Sequence, residues 1–116
     1  MFCLNSENRF LVYRKSCDMR KSFDGLCGLV RNELLRDPTS GDVFLFLNKR
    51  RTQVKLLHWE EGGLVLYYKR LEKGTFSLPQ GKDNSYISWA ELVLMIEGLQ
   101  VNQMVQKPRF RLKKTT

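Results

Sequence analysis

With 116 residues, 42% of them apolar, the chain is long enough for one modest core and too apolar for disorder throughout. Its formal net charge of +8 favours polyanionic partners such as nucleic acid, and says nothing about fold. Three cysteines (Cys3, Cys17, Cys27) with no CxxC pair, and a single histidine, His58, give neither a zinc-ligand pattern nor a secreted disulfide framework. No metal and no cofactor is therefore expected, and the thiols read as small apolar residues.

The chain starts Met1-Phe2-Cys3-Leu4-Asn5, which turns polar too soon for a signal peptide. No apolar run approaches membrane-spanning length, so a soluble, cytoplasmic protein without a membrane partner is expected. Residues 9–15 (RFLVYRK) form a candidate first strand. Met19, Phe23, Leu26, Cys27, Val30 and Leu34 then recur at helical spacing, with Asp18 as the expected N-cap and Asp37-Pro38 as the stop. Gly25 and Gly28 weaken an isolated helix, which is explained if they let it approach a sheet closely.

Residues 42–48, 53–59 and 64–70 are three β-rich runs. They are separated by Lys49-Arg50-Arg51 and by Glu60-Glu61-Gly62-Gly63, whose glycines suit a hairpin turn. This predicts an antiparallel meander with a triple-basic tip. Setting Asn48 opposite Thr52 and Trp59 opposite Leu64 defines two faces. One carries Phe44, Phe46, Val54, Leu56, His58, Val65, Tyr67 and Lys69. The other carries Val43, Leu45, Leu47, Gln53, Lys55, Leu57, Trp59, Leu64, Leu66, Tyr68 and Arg70. Both are too apolar for water, so either helices cover both or one face docks another chain.

Further on, residues 75–78 are expected to add an edge strand stopped by Pro79, and residues 80–85 to form a polar loop. Ser88-Trp89-Ala90-Glu91 has the capping-box spacing, and Trp89, Leu92, Val93, Ile96 and Leu99 form the stripe of a second helix closed by Gly98. From Gln106, five of the last eleven residues are Lys or Arg and none is acidic. The expected organisation is one α+β domain over residues 1–99, a meander of four to five strands with two packed helices, and a basic, flexible tail over 100–116.

The run Asp18-Met19-Arg20-Lys21-Ser22-Phe23-Asp24-Gly25-Leu26, the tip sequence through Val54-Lys55-Leu56-Leu57-His58-Trp59, and Tyr68-Lys69-Arg70-Leu71-Glu72-Lys73-Gly74-Thr75-Phe76 together resemble one family. It is the TnpB (Orf2-like) accessory protein of the insertion-sequence sixty-six family of bacterial transposable elements. The resemblance spans residues 11 to 99. It departs at Leu78, where the family has a tryptophan before the proline, and at Tyr67, where another aromatic is common. It implies a non-catalytic partner of a separate DDE transposase.

The residue types agree with a non-enzyme. His58 beside Glu60 and Glu61 superficially offers a base and carboxylates, but its alternation with aliphatic residues reads as a half-buried strand histidine. Asp18, Asp24, Asp37 and Asp42 read as cap and turn residues. There is no phosphate loop, nucleophile–base pair or small-molecule site in the sequence. The expected DNA contacts, at the element ends, are Arg20, Lys21, Asn48, Lys49, Arg50, Arg51, Lys69, Arg70 and Lys73. Lys107, Arg109, Arg111, Lys113 and Lys114 of the tail join them. The alternative is a protein–protein adaptor in which Trp59, Leu66 and Tyr68 dock the transposase or a second copy of the chain. A third reading is a small basic RNA-cleaving toxin.

Overall fold

The structure, a computed structural model, describes residues 4–81 and 83–98. Its elements are β1 (Phe10–Ser16), α1 (Phe23–Asn32), β2 (Val43–Leu47), β3 (Gln53–Glu60), β4 (Gly63–Arg70), β5 (Ser85–Ile87) and α2 (Trp89–Glu97). The strands form one sheet in the order β4-β3-β2-β1-β5. This is the expected α+β architecture of five strands and two helices, but it is not a simple meander. β1 and β2 are parallel, because the connection through α1 returns the chain to its starting end. The remaining pairs, β2–β3, β3–β4 and β1–β5, are antiparallel.

The two helices cover opposite faces, which accounts for a sheet apolar on both sides. On one, α2 presents Leu92, Met95 and Ile96 to Phe10, Val12, Val43, Leu45, Val54 and Leu56. On the other, α1 presents Leu26, Cys27 and Val30 to Leu11, Tyr13, Phe44, Phe46 and Leu57. Burying each of these aliphatic or aromatic side chains contributes about 1.5–3 kcal/mol.

The β3–β4 register is the expected one, with Trp59 opposite Leu64. Its two-residue turn puts both Glu61 (φ 37°) and Gly62 (φ 88°) at positive φ, the conformation whose twist matches the strands it joins. The β2–β3 register differs by one residue: Leu47 lies opposite Val54, not Gln53. The tip is a four-residue loop, Lys49–Thr52, because Arg51 adopts a left-handed conformation (φ 59°) that a bulky side chain seldom takes. The extra residue moves Val43, Leu45 and Leu47 onto the α2 face and Phe44 and Phe46 onto the α1 face, reversing the expected assignment.

Residues 75–78 form no strand. Phe76 is instead buried beneath the tip, and its N–H donates to the Arg51 carbonyl at 2.7 Å. The last strand is Ser85–Ile87, at the end of the expected loop, where it pairs with the open side of β1.

α1 starts at Phe23, with Ser22 in the cap position, and Asp18 does not cap it. The Asp18 carboxylate is engaged locally, accepting from the Arg20 backbone N–H at 2.9 Å and from its guanidinium. The helix ends at Asn32, five residues before Asp37, in a left-handed turn at the exposed Leu35 (φ 55°). Gly28 faces open space and makes no close approach to the sheet, while a Cβ on Gly25 would meet the Lys21 side chain at 3.2 Å. Asp37 does serve its turn, accepting from the Thr39 N–H and hydroxyl. Asp42 does more: it is buried and holds the Arg9 guanidinium at 3.0 Å and the Tyr86 hydroxyl at 3.1 Å. At α2, the Ser88 hydroxyl accepts from the Glu91 N–H and the Glu91 carboxylate accepts from the Ser88 N–H, completing the expected capping box. Gly98 closes the helix at φ 86°.

Candidate nucleic-acid interface

Strand direction gathers the basic residues. β1 and β2 run parallel, so the C-terminal end of β1 lies beside the tip that follows β2. The Cys17 N–H donates to the Leu47 carbonyl at 2.8 Å, fixing that neighbourhood. β4 is antiparallel to β3, so its C-terminal end arrives there too, with Arg70 opposite Gln53. The 71–76 loop is then tied to the tip by Leu71 N–H to the Thr52 carbonyl and by the Phe76 bond. The other end of the β3–β4 pair carries the acidic turn, Glu60 and Glu61.

Asn48 builds the tip. Its side-chain oxygen accepts from the N–H groups of Thr52 and Gln53, both at 2.9 Å, its amide donates to the Thr52 hydroxyl, and its carbonyl accepts from the Arg51 N–H. Asn48 is therefore a structural residue of the turn, with its side-chain polar groups already used. Lys49, Arg50 and Arg51 are exposed, and none of their side chains has an ion-pair or hydrogen-bond partner among the described residues.

The other expected contacts differ in how free they are. Arg20 is exposed but held by Asp18 at 2.6 Å; this contact raises the guanidinium pKa and pulls the carboxyl down to about 2. Lys21 is exposed, and so is Lys73 in the 71–76 loop. Arg70 pairs with Glu72 at 3.0 Å, an exposed pair that solvent weakens. Lys69 lies on the α2 face and points its ammonium at the Ile96 carbonyl, 3.5 Å away, at the negative end of the α2 dipole. Lys107, Arg109, Arg111, Lys113 and Lys114 lie outside the described residues.

Two residues that the sequence reading did not single out shape this end. Lys55 is buried in β3, and its ammonium donates to the carbonyls of Met19 (2.8 Å) and Lys21 (2.7 Å) beneath the Tyr68 ring. It thereby clips the basic 18–21 segment to the sheet. Arg14, near the end of β1, has lost part of its solvation to burial and faces Arg51, and both effects lower its pKa. A lysine interrupting an apolar strand was a visible signal; the environment of Arg14 was not, because it depends on Pro79 and Gly81, far along the chain.

On the α1 face, Trp59, Leu66 and Tyr68 share one side as expected. Leu66 is half-buried on the core, while Tyr68 is 51% exposed and bonds Gln53 through its hydroxyl. The opposite face of β4 borders an apolar pocket of about 280 Å³ lined by Leu4, Leu56, His58, Val65 and Tyr67. His58 is buried at its rim, with Nδ1 3.1 Å from the Glu60 carboxylate, as a strand histidine with a local partner. Cys17 and Cys27 are buried thiols, and burial raises both pKa values away from reactive thiolate. Among the described residues, no three His, Cys, Asp or Glu side chains converge as a metal site, and no helix is long and apolar enough to cross a membrane.

No solved structure is significantly similar to the chain. Two proteins of Sinorhizobium fredii are similar in sequence, both named only as uncharacterized. Protein y4jC is 36% identical over 101 residues, covering 86% of each chain, and y4hO is 32% identical over 84 residues, covering 71% of this chain and 72% of its own length. The profile of the family described as "IS66 Orf2 like protein" matches residues 8–106. The chain therefore belongs to the IS66 Orf2-like family, a membership that points to an accessory role in transposition.

Proposed function

We propose that this chain is a non-catalytic accessory protein of insertion-sequence transposition that grips DNA at the element ends with the cationic end of its sheet, alongside a separate DDE transposase. The observation that carries the reading is the tip: three consecutive cations, exposed and unpaired on a turn braced by Asn48. Cations already matched to carboxylates gain little from a phosphate, whereas unpaired ones release counterions on binding. Lys21 and Lys73 extend the footprint, and the basic tail adds further charge. A two-stranded ribbon fits the major groove, where Arg50 or Arg51 can reach guanine edges.

A mobility-shift titration against element-end duplex tests the proposal. Replacing Lys49, Arg50 and Arg51 together with Gln, Gln and Asn removes about three phosphate contacts. The slope of log K against log salt then falls by roughly 3 units. Unchanged affinity and slope would refute the tip as the contact.

A second reading, compatible with the first, is favoured by β4. This eight-residue strand is at the sheet edge, with Val65 and Tyr68 exposed on its two faces and the apolar pocket beside it. Such an edge suits docking of the transposase or of a second copy of the chain. Co-purification that survives high salt, where charge contacts are screened, supports this reading, and its loss in high salt rejects it.

A further inference from the structure

The geometry points to a built phosphate seat in the crevice between the end of β1 and the tip, occupied by one backbone phosphate of the bound nucleic acid. The crevice is a polar pocket of about 90 Å³ whose lining includes Arg14, Lys15, Ser16, Asn48, Lys49 and Arg51. Four of those six carry positive charge, and they come from two segments more than thirty residues apart in sequence. The only carboxylate that any of the four meets in an ion pair among the described residues is Glu33, 3.4 Å from Lys15 on a well-exposed pair. That contact is weak and readily exchanged.

Arg14 is the anchor. Its Nη1 donates to the Pro79 carbonyl at 2.8 Å, and its backbone N–H to the Asn84 side chain at 2.7 Å. A Cβ on Gly81 would lie 3.2 Å from Nη2, so glycine leaves room for the guanidinium there. The Nε is buried and has no acceptor among the described residues. An unsatisfied buried donor costs about 1–3 kcal/mol, more on a charged group. Arg51 adds repulsion to that cost, and the Glu91 carboxylate offsets part of it. An oxyanion in the crevice offsets the repulsion, because it brings negative charge to all four cations. Ser16 and Asn48 add neutral polar groups to the lining, which Tyr13, Leu47 and Leu78 complete. Arg14 and Lys15 are held by β1, so the seat would set the register of the ribbon on the strand.

The inference rests on the DNA reading, so its test has two arms. In the first, the Arg14 Nε–H resonance, identified by its loss in Arg14→Lys, is followed while inorganic phosphate replaces chloride at constant ionic strength. In the second, it is followed while a short duplex is added. A saturable shift in both arms is expected. Arg51→Asn, which keeps the positive φ that asparagine tolerates, should weaken the phosphate response at least threefold without unfolding the protein. A duplex that binds yet leaves the Arg14 signal unmoved overturns the seat and spares the tip. A phosphate response without any duplex binding overturns the DNA reading, and the backbone occupant with it.

Discussion

Replacing Lys55 with methionine should loosen the basic end of the molecule while leaving the sheet intact. The ammonium, on a residue only 5% exposed, makes two short bonds to backbone carbonyls at 2.8 and 2.7 Å and lies 4.6 Å from the centre of the Tyr68 ring. Hydrogen bonds to a charged group are worth about 1.5–3 kcal/mol each, so the gross loss is about 3–6 kcal/mol. Methionine recovers part of this. It carries no desolvated charge, and its thioether packs on the aromatic ring for about 1 kcal/mol. A net destabilisation of about 2 kcal/mol follows, equivalent to a urea midpoint lower by about 1 M at a typical slope of about 2 kcal/mol per M. Urea unfolding followed by circular dichroism measures it, and native-state hydrogen exchange should locate the loss in residues 18–26. A midpoint equal to or above that of the parent chain would refute the idea that this lysine holds the segment.

Gly28→Ala should stabilise the protein by about 0.5–1 kcal/mol, since the new Cβ enters open space on a helix; thermal denaturation reads the gain. Gly25→Ala should give less, because Lys21 must move. Ser88→Ala removes the oxygen that accepts from the Glu91 N–H and should cost about 1 kcal/mol, read as a lower urea midpoint. Asp18 titrates at about 2 in the folded chain against an ordinary value of 3.8, so its contribution is complete above pH 4 and is lost as the pH falls toward 2. Asp18→Asn should flatten the stability profile in that window, and carboxyl chemical shifts should follow the titration directly. If the folded-state midpoint proved ordinary, the Asp18–Arg20 contact would not persist in solution.

Local chemistry accounts for much of this protein. The capping box at Ser88, the glycine closing α2, the Glu61-Gly62 turn and the exposure of the triple-basic tip follow from residues within a few positions of one another. The apolar character of both strand faces already required two covers, and α1 and α2 supply them. The family was legible as well, through the runs around Arg20 and Lys69.

Other features depend on partners remote in sequence, for which a linear pattern holds no signal. The parallel β1–β2 pair arises from the return of the chain through α1, and β5, three residues long, is a strand only because β1 has a side to offer it. The one-residue difference in the β2–β3 register comes from the left-handed Arg51, a cost that the surrounding bonds to Asn48 and Phe76 offset. Arg14 is the clearest case. In sequence it is one more cation of a strand, and only packing against Pro79, Gly81 and the tip leaves its Nε buried with no partner among the described residues. Burial and electrostatic potential are sums over neighbours in space, so charge count alone raised the expectation of an anionic partner, while the tertiary fold decided which cations are left without a carboxylate.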